Sequence, residues 1–252
     1  MKRILLLAAS AVLATAGALA AAGPASADSG DVTCPNGFLG VLIVPHDLTV
    51  PPDGSCGLTQ GSTIGHDVTV DQGGAFFIGG TAIGHDLTAN GAKLIELGDV
   101  NNGLADTTIG GNVTINGTIG TLPFGQFICQ TRIVGNLSIT GTQTTSSGWD
   151  IGAPEPANCG RNTLHSNFAD TIGGDATFSN NASSLDIGFN TPAFNGGTGP
   201  GFGHDLTLNG NTNTTLDRNN IVHNCTQSNN HPFAGTGNTA GSSVDACNSS
   251  NP

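Results

Sequence analysis

A seven-residue pattern recurs seven times along this chain, and this repetition constrains the fold more than any other feature of the sequence. Successive copies begin 19 to 39 residues apart, and each ends in an alternation of polar and apolar residues. The copies are VPHDLTV from Val44, IGHDVTV from Ile64, IGHDLTA from Ile83, IGGNVTI from Ile109, IVGNLSI from Ile133, IGGDATF from Ile172 and FGHDLTL from Phe202. A strand-like motif at such intervals predicts a solenoid whose coils stack on one another.

Each copy predicts a corner followed by a short β-strand. In the copy from Ile64, Val68 and Val70 alternate with polar residues, which predicts a strand with one buried face. Gly65 permits the corner that precedes this strand. A second pattern of apolar, acidic, apolar and glycine residues follows later in several coils, as at residues 95–98. Each coil is therefore expected to contain at least two strands.

These features predict an all-β chain that folds as a single-stranded, right-handed parallel β-helix with disulfide-tied ends and loops. Right-handedness is expected because crossovers between parallel strands are right-handed in nearly all proteins. The apolar repeat positions predict a continuous buried core, and Trp149 is expected inside it as well. The predicted core residues are Ile64, Val68, Val70, Ile83, Leu87, Ile109, Val113, Ile115, Ile133, Leu137 and Ile139.

The chain divides into four predicted segments. Lys2 and Arg3 precede a long apolar run, and Ala25-Ser26-Ala27 matches a cleavage site, so a secreted, extracellular protein is expected. No later stretch approaches the length of a membrane-spanning helix. The segments are a signal peptide (1–27), an N-terminal cap (28–43), the β-helix repeats (44–219) and an Asn/Ser/Gly-rich C-terminal cap or tail (220–252).

The cysteines are expected to form disulfide bonds, because six cysteines in an exported chain are typical of a disulfide framework. Fifteen pairings are possible. Proximity along the chain favours Cys34–Cys56, Cys129–Cys159 and Cys225–Cys247. The middle bond would tie down a predicted excursion from the helix wall between Thr140 and Asp170.

The charge of the chain limits its partners. The formal net charge is −12, from 18 acidic and 6 basic residues. Removal of a signal peptide that carries Lys2 and Arg3 would make the charge more negative still. Because such a surface repels nucleic acid and anionic lipid, neither is expected as a partner.

Stacked coils place equivalent residues in columns with a spacing of about 4.8 Å. The three carboxylates Asp47, Asp67 and Asp86 could hold calcium, the one cofactor that the sequence suggests. The favoured alternative is that the whole column accepts backbone hydrogen bonds at the corners, because Asn replaces Asp in two copies. The fourth repeat position contains Asp47, Asp67, Asp86, Asn112, Asn136, Asp175 and Asp205.

Histidine and threonine form two further columns. Glycine replaces histidine at the third position of three copies, so stacked corner histidines are favoured over a transition-metal site. The sixth position is Thr or Ser in all seven copies, which suits a strand surface and could also order water against ice. The third-position histidines are His46, His66, His85 and His204.

A second acidic column is predicted from the apolar–acidic–apolar pattern, with Glu96, Asp150, Asp186 and Asp217 as its members. Glycosidases require two carboxylates about 5 to 10 Å apart, so a pair from Asp150, Asp186 and Asp217 is the catalytic candidate. A solvated acidic face explains the same residues. One Trp and no Tyr in the whole chain argue against a sugar-binding site.

The repeats and the Asn/Asp column resemble those of the right-handed parallel β-helix superfold of pectate lyases, polygalacturonases and many non-catalytic surface proteins. The resemblance covers roughly residues 44–218, and the chain looks like secreted repeat proteins of Gram-positive bacteria. A lyase of this kind would be expected to have Arg and Lys beside a calcium site. The basic residues outside the predicted signal peptide do not lie in repeated columns, and these are Lys93, Arg132, Arg161 and Arg218.

The expected function is a non-enzymatic structural or surface-binding role at the cell exterior, with cell-surface or extracellular glycan as the partner. One alternative is a small carbohydrate-active hydrolase or lyase on an acidic face of the β-helix. The other alternative is a calcium- or ice-binding module.

Overall fold

The computed structural model describes residues 30–98, 106–119, 125–143, 148–152, 170–188 and 201–251. The predicted signal peptide, Cys159 and most of the predicted excursion between Thr140 and Asp170 lie outside the described residues.

Parallel strands form three long sheets, and the chain visits the sheets in turn, so that as far as β20 every third strand is a neighbour in the same sheet. Sheet A contains β1 (Val32–Thr33), β4 (Leu48–Val50), β7 (Val68–Val70), β10 (Leu87–Asn90), β13 (Val113–Asn116), β16 (Leu137–Thr140), β19 (Ala176–Ser179), β21 (Leu206–Asn209) and β24 (Cys225–Ser228). Sheet C contains β3 (Ile43–Val44), β6 (Thr63–Ile64), β9 (Ala82–Ile83), β12 (Thr107–Ile109), β15 (Thr131–Ile133) and β18 (Thr171–Ile172).

Sheet B is the longest sheet, and its strands lie between those of sheets A and C along the chain. It contains β2 (Phe38–Gly40), β5 (Ser55–Leu58), β8 (Ala75–Ile78), β11 (Leu94–Leu97), β14 (Gln126–Ile128), β17 (Trp149–Ile151), β20 (Leu185–Gly188), β22 (Thr212–Asp217), β25 (His231–Thr236) and β27 (Ser250–Asn251). A separate pair consists of β23 (Asn220–Ile221) and β26 (Thr239–Ala240), and a 3₁₀ helix spans Asp245–Asn248.

The predicted all-β fold with parallel strands is confirmed. All described strand pairs are parallel except β25 with β27, which is antiparallel. The cyclic order of the three sheets is consistent with a β-helix. In the part of the chain that the structure describes, no helix is long and apolar enough to cross a membrane.

The alternation in the repeats determines which side chains are buried. Val68 and Val70 point inward and are fully buried, whereas Thr69 between them is exposed. All eleven predicted core residues are at most 2% exposed and belong to one continuous cluster. Trp149 is also buried, and its indole N–H donates a hydrogen bond to Thr142 Oγ1 at 3.0 Å.

The strand ladders extend beyond residues 44–219 at both ends. Strands β1 to β3 precede or include Val44, and β24, β25 and β27 continue sheets A and B after residue 219. The end coils carry the same motif with cysteine at an inward position. Cys34 follows β1 in line with Val50, and Cys225 pairs in register with Leu206.

Two of the predicted disulfide bonds are present. Cys34 bonds to Cys56 and Cys225 bonds to Cys247, each with a Cα–Cα distance of 6.0 Å. Cys129 is disulfide-bonded as well, and its predicted partner Cys159 lies outside the described residues. The Cys34–Cys56 bond attaches the first coil to the second. The Cys225–Cys247 bond attaches β24 to the 3₁₀ helix.

Val113→Asp should unfold the protein or lower its free energy of unfolding by more than about 4 kcal/mol, because an unpaired charge would enter the dry core. Thr114→Asp is the matched control, since Thr114 is next to Val113 but points outward and is only partly buried. We expect the control to cost about 1 kcal/mol or less. Urea titrations followed by circular dichroism measure both variants, and equal midpoints would contradict the inward assignment.

Candidate functional site

The Asp/Asn column lies at the corner between sheets C and A and connects each coil to the next. The backbone N–H of each member donates to Oδ1 of the equivalent residue on the preceding coil, at 2.6 to 3.5 Å. The donor–acceptor pairs are Asp47–Asp31, Asp67–Asp47, Asp86–Asp67, Asn112–Asp86, Asn136–Asn112, Asp175–Asn136, Asp205–Asp175 and Asn224–Asp205. These contacts are the backbone hydrogen bonds favoured from the sequence. They also extend the column to Asp31 and Asn224, which the sequence analysis missed.

The last step of this Asp/Asn ladder shows its electrostatic effect. The backbone N–H and the side-chain amide of Asn224 both donate to Asp205 Oδ1 at 3.0 Å. These hydrogen bonds, with smaller contributions from His223 and His204, lower the pKa of Asp205. The ionised carboxylate is therefore the form that this corner favours.

The corner histidines line up from coil to coil beside the Asp/Asn ladder, with the His66–His85 and His204–His223 rings stacked and the His46–His66 rings tilted. Ring centroids of His46 and His66 are 5.0 Å apart, those of His66 and His85 are 5.1 Å apart, and those of His204 and His223 are 5.0 Å apart. His223 belongs to the end coil whose motif carries cysteine. In the described residues, no group of three or more His, Cys, Asp or Glu side chains could hold a metal ion.

Each of three histidines also approaches a carboxylate of the preceding coil. His66 Nδ1 lies 3.8 Å from Asp47 Oδ1, His85 Nδ1 lies 4.0 Å from Asp67 Oδ1, and the His204–Asp175 distance is 3.8 Å. All these side chains are about half exposed or more. A single motif does not reveal these contacts, because each one joins a histidine to a carboxylate of the neighbouring coil.

Sheet B carries the acidic face, but its register differs from the predicted column. Phe77, Glu96, Phe127, Asp150 and Asp186 follow one another in register from β8 to β20. Phe127 therefore separates Glu96 from the two aspartates. We call these five residues the sheet B column.

The placement of Asp217 in the acidic column was wrong. Thr215 pairs with Asp186, whereas Asp217 pairs with Gly188, two residues further along the strand. The apolar residue before Asp217 is Leu216, and it pairs with Ile187 rather than with Leu185. Leu216-Asp217 matches only two residues of the apolar–acidic–apolar–glycine pattern, and two residues are too few to determine how β22 pairs with β20. Asp217 Oδ2 instead lies 3.5 Å from Arg218 Nε.

Burial changes the titration of two carboxyl groups in the sheet B column. Glu96 is paired between Phe77 and Phe127, and burial raises its pKa from 4.5 to about 7. Burial also raises the pKa of Asp186 to about 6, with smaller contributions from Asp150 and Asp217. Groups of this kind are poised to exchange protons near neutral pH.

Asp170 is a further acid that the sequence analysis did not select. It is fully buried, and its Oδ1 accepts a hydrogen bond from the backbone N–H of Thr131 at 2.9 Å. Burial raises its pKa well above the usual value, although that hydrogen bond opposes the shift. Asp170 immediately precedes β18, which pairs with β15, so this hydrogen bond joins the starts of two neighbouring strands of sheet C.

The chain has no match among known protein families, curated proteins or solved structures in the comparisons made.

Asp86→Ala should lower the free energy of unfolding by about 0.5 to 1.5 kcal/mol, the net value of a typical hydrogen bond. The substitution removes the acceptor of the backbone N–H and side-chain amide of Asn112. Asp86→Asn retains the Oδ1 acceptor and should unfold close to wild type. Chemical denaturation compares the three proteins. A loss as large in Asp86→Asn as in Asp86→Ala would show that charge, not the hydrogen bond, is what matters.

Glu96→Gln should raise the melting temperature above pH 7 and leave it unchanged below pH 4.5. An acid whose pKa is raised by folding is protonated in the folded state at low pH, so it then costs nothing. As pH rises from 4.5 to about 7, the unfolded state releases its proton while the buried carboxyl of the folded state keeps its own, so stability falls until the folded state also ionises. Thermal melts across this range measure the difference, with the exposed Asp53→Asn as control. A pH-independent effect of Glu96→Gln would contradict this explanation.

Proposed function

We propose that the protein is a secreted, non-enzymatic structural or surface-binding protein of the cell exterior that folds as a right-handed parallel β-helix. The observation that supports this proposal is that the Asp/Asn ladder is occupied by backbone N–H groups from Asp31 to Asn224. The most regular polar residues of the chain thus hold the coils together. The handedness rests on the strong preference of parallel crossovers.

Extracellular glycan is the proposed partner class. The sheet B column presents the partly exposed ring of Phe77 on the outward face, followed along the axis by Glu96, the largely buried Phe127, Asp150 and Asp186. An aromatic ring offers a flat apolar contact, and carboxylates accept hydrogen bonds from hydroxyl groups. The strong negative charge of the chain favours a neutral or cationic glycan over an anionic one.

A glycan assay tests binding and catalysis together. Purified mature protein is incubated with insoluble cellulose, chitin and peptidoglycan and with a panel of soluble polysaccharides. We expect retention on at least one insoluble glycan without release of new reducing ends, and weaker retention for Phe77→Ala. Val134→Ala is the matched control, because Val134 is exposed and outside the sheet B column. Absence of retention on every glycan would contradict the proposed partner class.

A hydrolase is the second candidate, and the pairing of Asp150 with Asp186 on adjacent strands is the observation that favours it. Adjacent strands lie about 4.8 Å apart, close to the 5 to 5.5 Å carboxylate separation of retaining glycosidases. The raised pKa of Asp186 would suit a general acid. Release of reducing ends by the wild type, abolished in Asp150→Asn and Asp186→Asn but retained in Asp53→Asn, would establish this candidate.

A further inference from the structure

The two ends of the stacked sheets are closed to different extents. At the C-terminal end, β27 runs antiparallel to β25 and covers the edge of sheet B. The 3₁₀ helix is attached there by the Cys225–Cys247 bond, and Asn238 donates its backbone N–H to Asn248 Oδ1 at 2.9 Å. This end therefore has its own covering elements.

The N-terminal end has no comparable cover among the described residues. Strands β1, β2 and β3 are the terminal strands of sheets A, B and C, and each pairs on one side only. The outer edges of three adjacent strands thus offer backbone N–H and C=O groups for further pairing.

Exposed apolar side chains are concentrated at this same end. Ile43 is 73% exposed, Leu39 is 69% exposed and Val41 is 58% exposed, and these are the three most exposed large apolar side chains in the described residues. They occupy alternate positions of one five-residue stretch. An apolar patch beside open strand edges is typical of an interaction site.

The mature chain expected after signal cleavage offers little to cover this patch. Cleavage after Ala27, as predicted, leaves only Asp28 and Ser29 before Gly30. Two extended residues reach about 7 Å, which is too short to pair with strands of a whole coil. The cover must then come from another molecule.

Charge indicates which molecule this is. Residues 30–44 contain one charged side chain, Asp31, although the whole chain has a net charge of −12. A cationic partner would have a single carboxylate to bind at this end. Two copies of the chain, in contrast, can meet here with little electrostatic repulsion. The rest of the strongly acidic surface disfavours contact between copies elsewhere.

We propose that the mature protein forms a head-to-head dimer through its N-terminal end, with β2 pairing antiparallel to β2 of a second copy. At the opposite edge of sheet B, β27 already pairs antiparallel with β25, so the proposed contact is of the same type. A two-fold axis makes the interface self-complementary, and Leu39 packs near its counterpart across the junction. Because the C-terminal end is covered, assembly stops at two copies and does not continue into a fibre.

Sedimentation velocity of the mature chain across a dilution series tests the assembly. We expect a dimer at high concentration that dissociates on dilution. Leu39→Lys and Ile43→Lys should each sediment as a monomer where the wild type is dimeric. Val134→Lys is the matched control, since Val134 is 53% exposed but lies in the middle of the solenoid, and it should remain dimeric. Circular dichroism verifies that each variant is folded.

Hydrogen exchange locates the contact. Amides of β2 should exchange more slowly at high than at low protein concentration, while amides of β27 should not change. A monomer at every concentration, equal dissociation of Val134→Lys and Leu39→Lys, or concentration-dependent protection at β27 in place of β2 would overturn the proposal. Retention of the dimer by folded Leu39→Lys and Ile43→Lys would overturn it as well.

Discussion

Hydrogen bonding between coils at the corner before sheet A is the interaction on which the rest of the structure depends. Two backbone N–H groups of a typical corner donate to backbone carbonyls of the preceding coil, as those of Gly65 and His66 do, whereas the N–H of the Asp/Asn position needs another acceptor. Oδ1 of the residue one coil earlier supplies it, as from Asp67 to Asp86. Asp and Asn carry the same oxygen in the same place, so Asn112 and Asn136 continue the ladder without a change in geometry.

Buried asparagines form a second set of connections with the opposite direction. The backbone N–H and the side-chain amide of Asn211 donate to Oδ1 of Asn230, which lies on the following coil. Asn181 donates to Asn211 in the same way, whereas Asn219 donates to Asn238 at another corner. In the C-terminal half, the Asp/Asn ladder therefore donates its N–H groups to oxygens on the preceding coil. The buried asparagines, at other corners, donate theirs to oxygens on the following coil. These amides would be costly to bury without such partners.

The sequence predicts the inward positions of the repeats well, because aliphatic side chains in period two leave one arrangement that buries them all. Ile64, Val68 and Val70 illustrate this, and the same logic predicts Trp149 as core. The end coils escaped prediction because Cys34 and Cys225 occupy positions where the other copies carry aliphatic residues. The position of Asp217 could not be predicted, since its strand offers a single apolar neighbour, Leu216, from which to set the register. The approach of His66 to Asp47 depends on neighbouring coils, which a motif considered alone does not contain.

The Asp/Asn ladder also decides where this architecture can accommodate new sequence. The corner between sheets C and A has the same three-residue length wherever a sheet C strand leads directly into sheet A, as at residues 65–67 and 134–136, because an inserted residue would displace an Oδ1 acceptor from its donor. At the corners on either side of sheet B, the described links that buried asparagines make between coils are confined to the C-terminal half, and earlier in the chain the link from sheet B to sheet C ranges from residues 129–130 in one coil to residues 152–170 in the next. Insertions therefore accumulate around one face only. The loops beside sheet B can therefore change in length and sequence while the stacking of the coils stays the same. A foreign peptide grafted into this protein should be inserted in these loops.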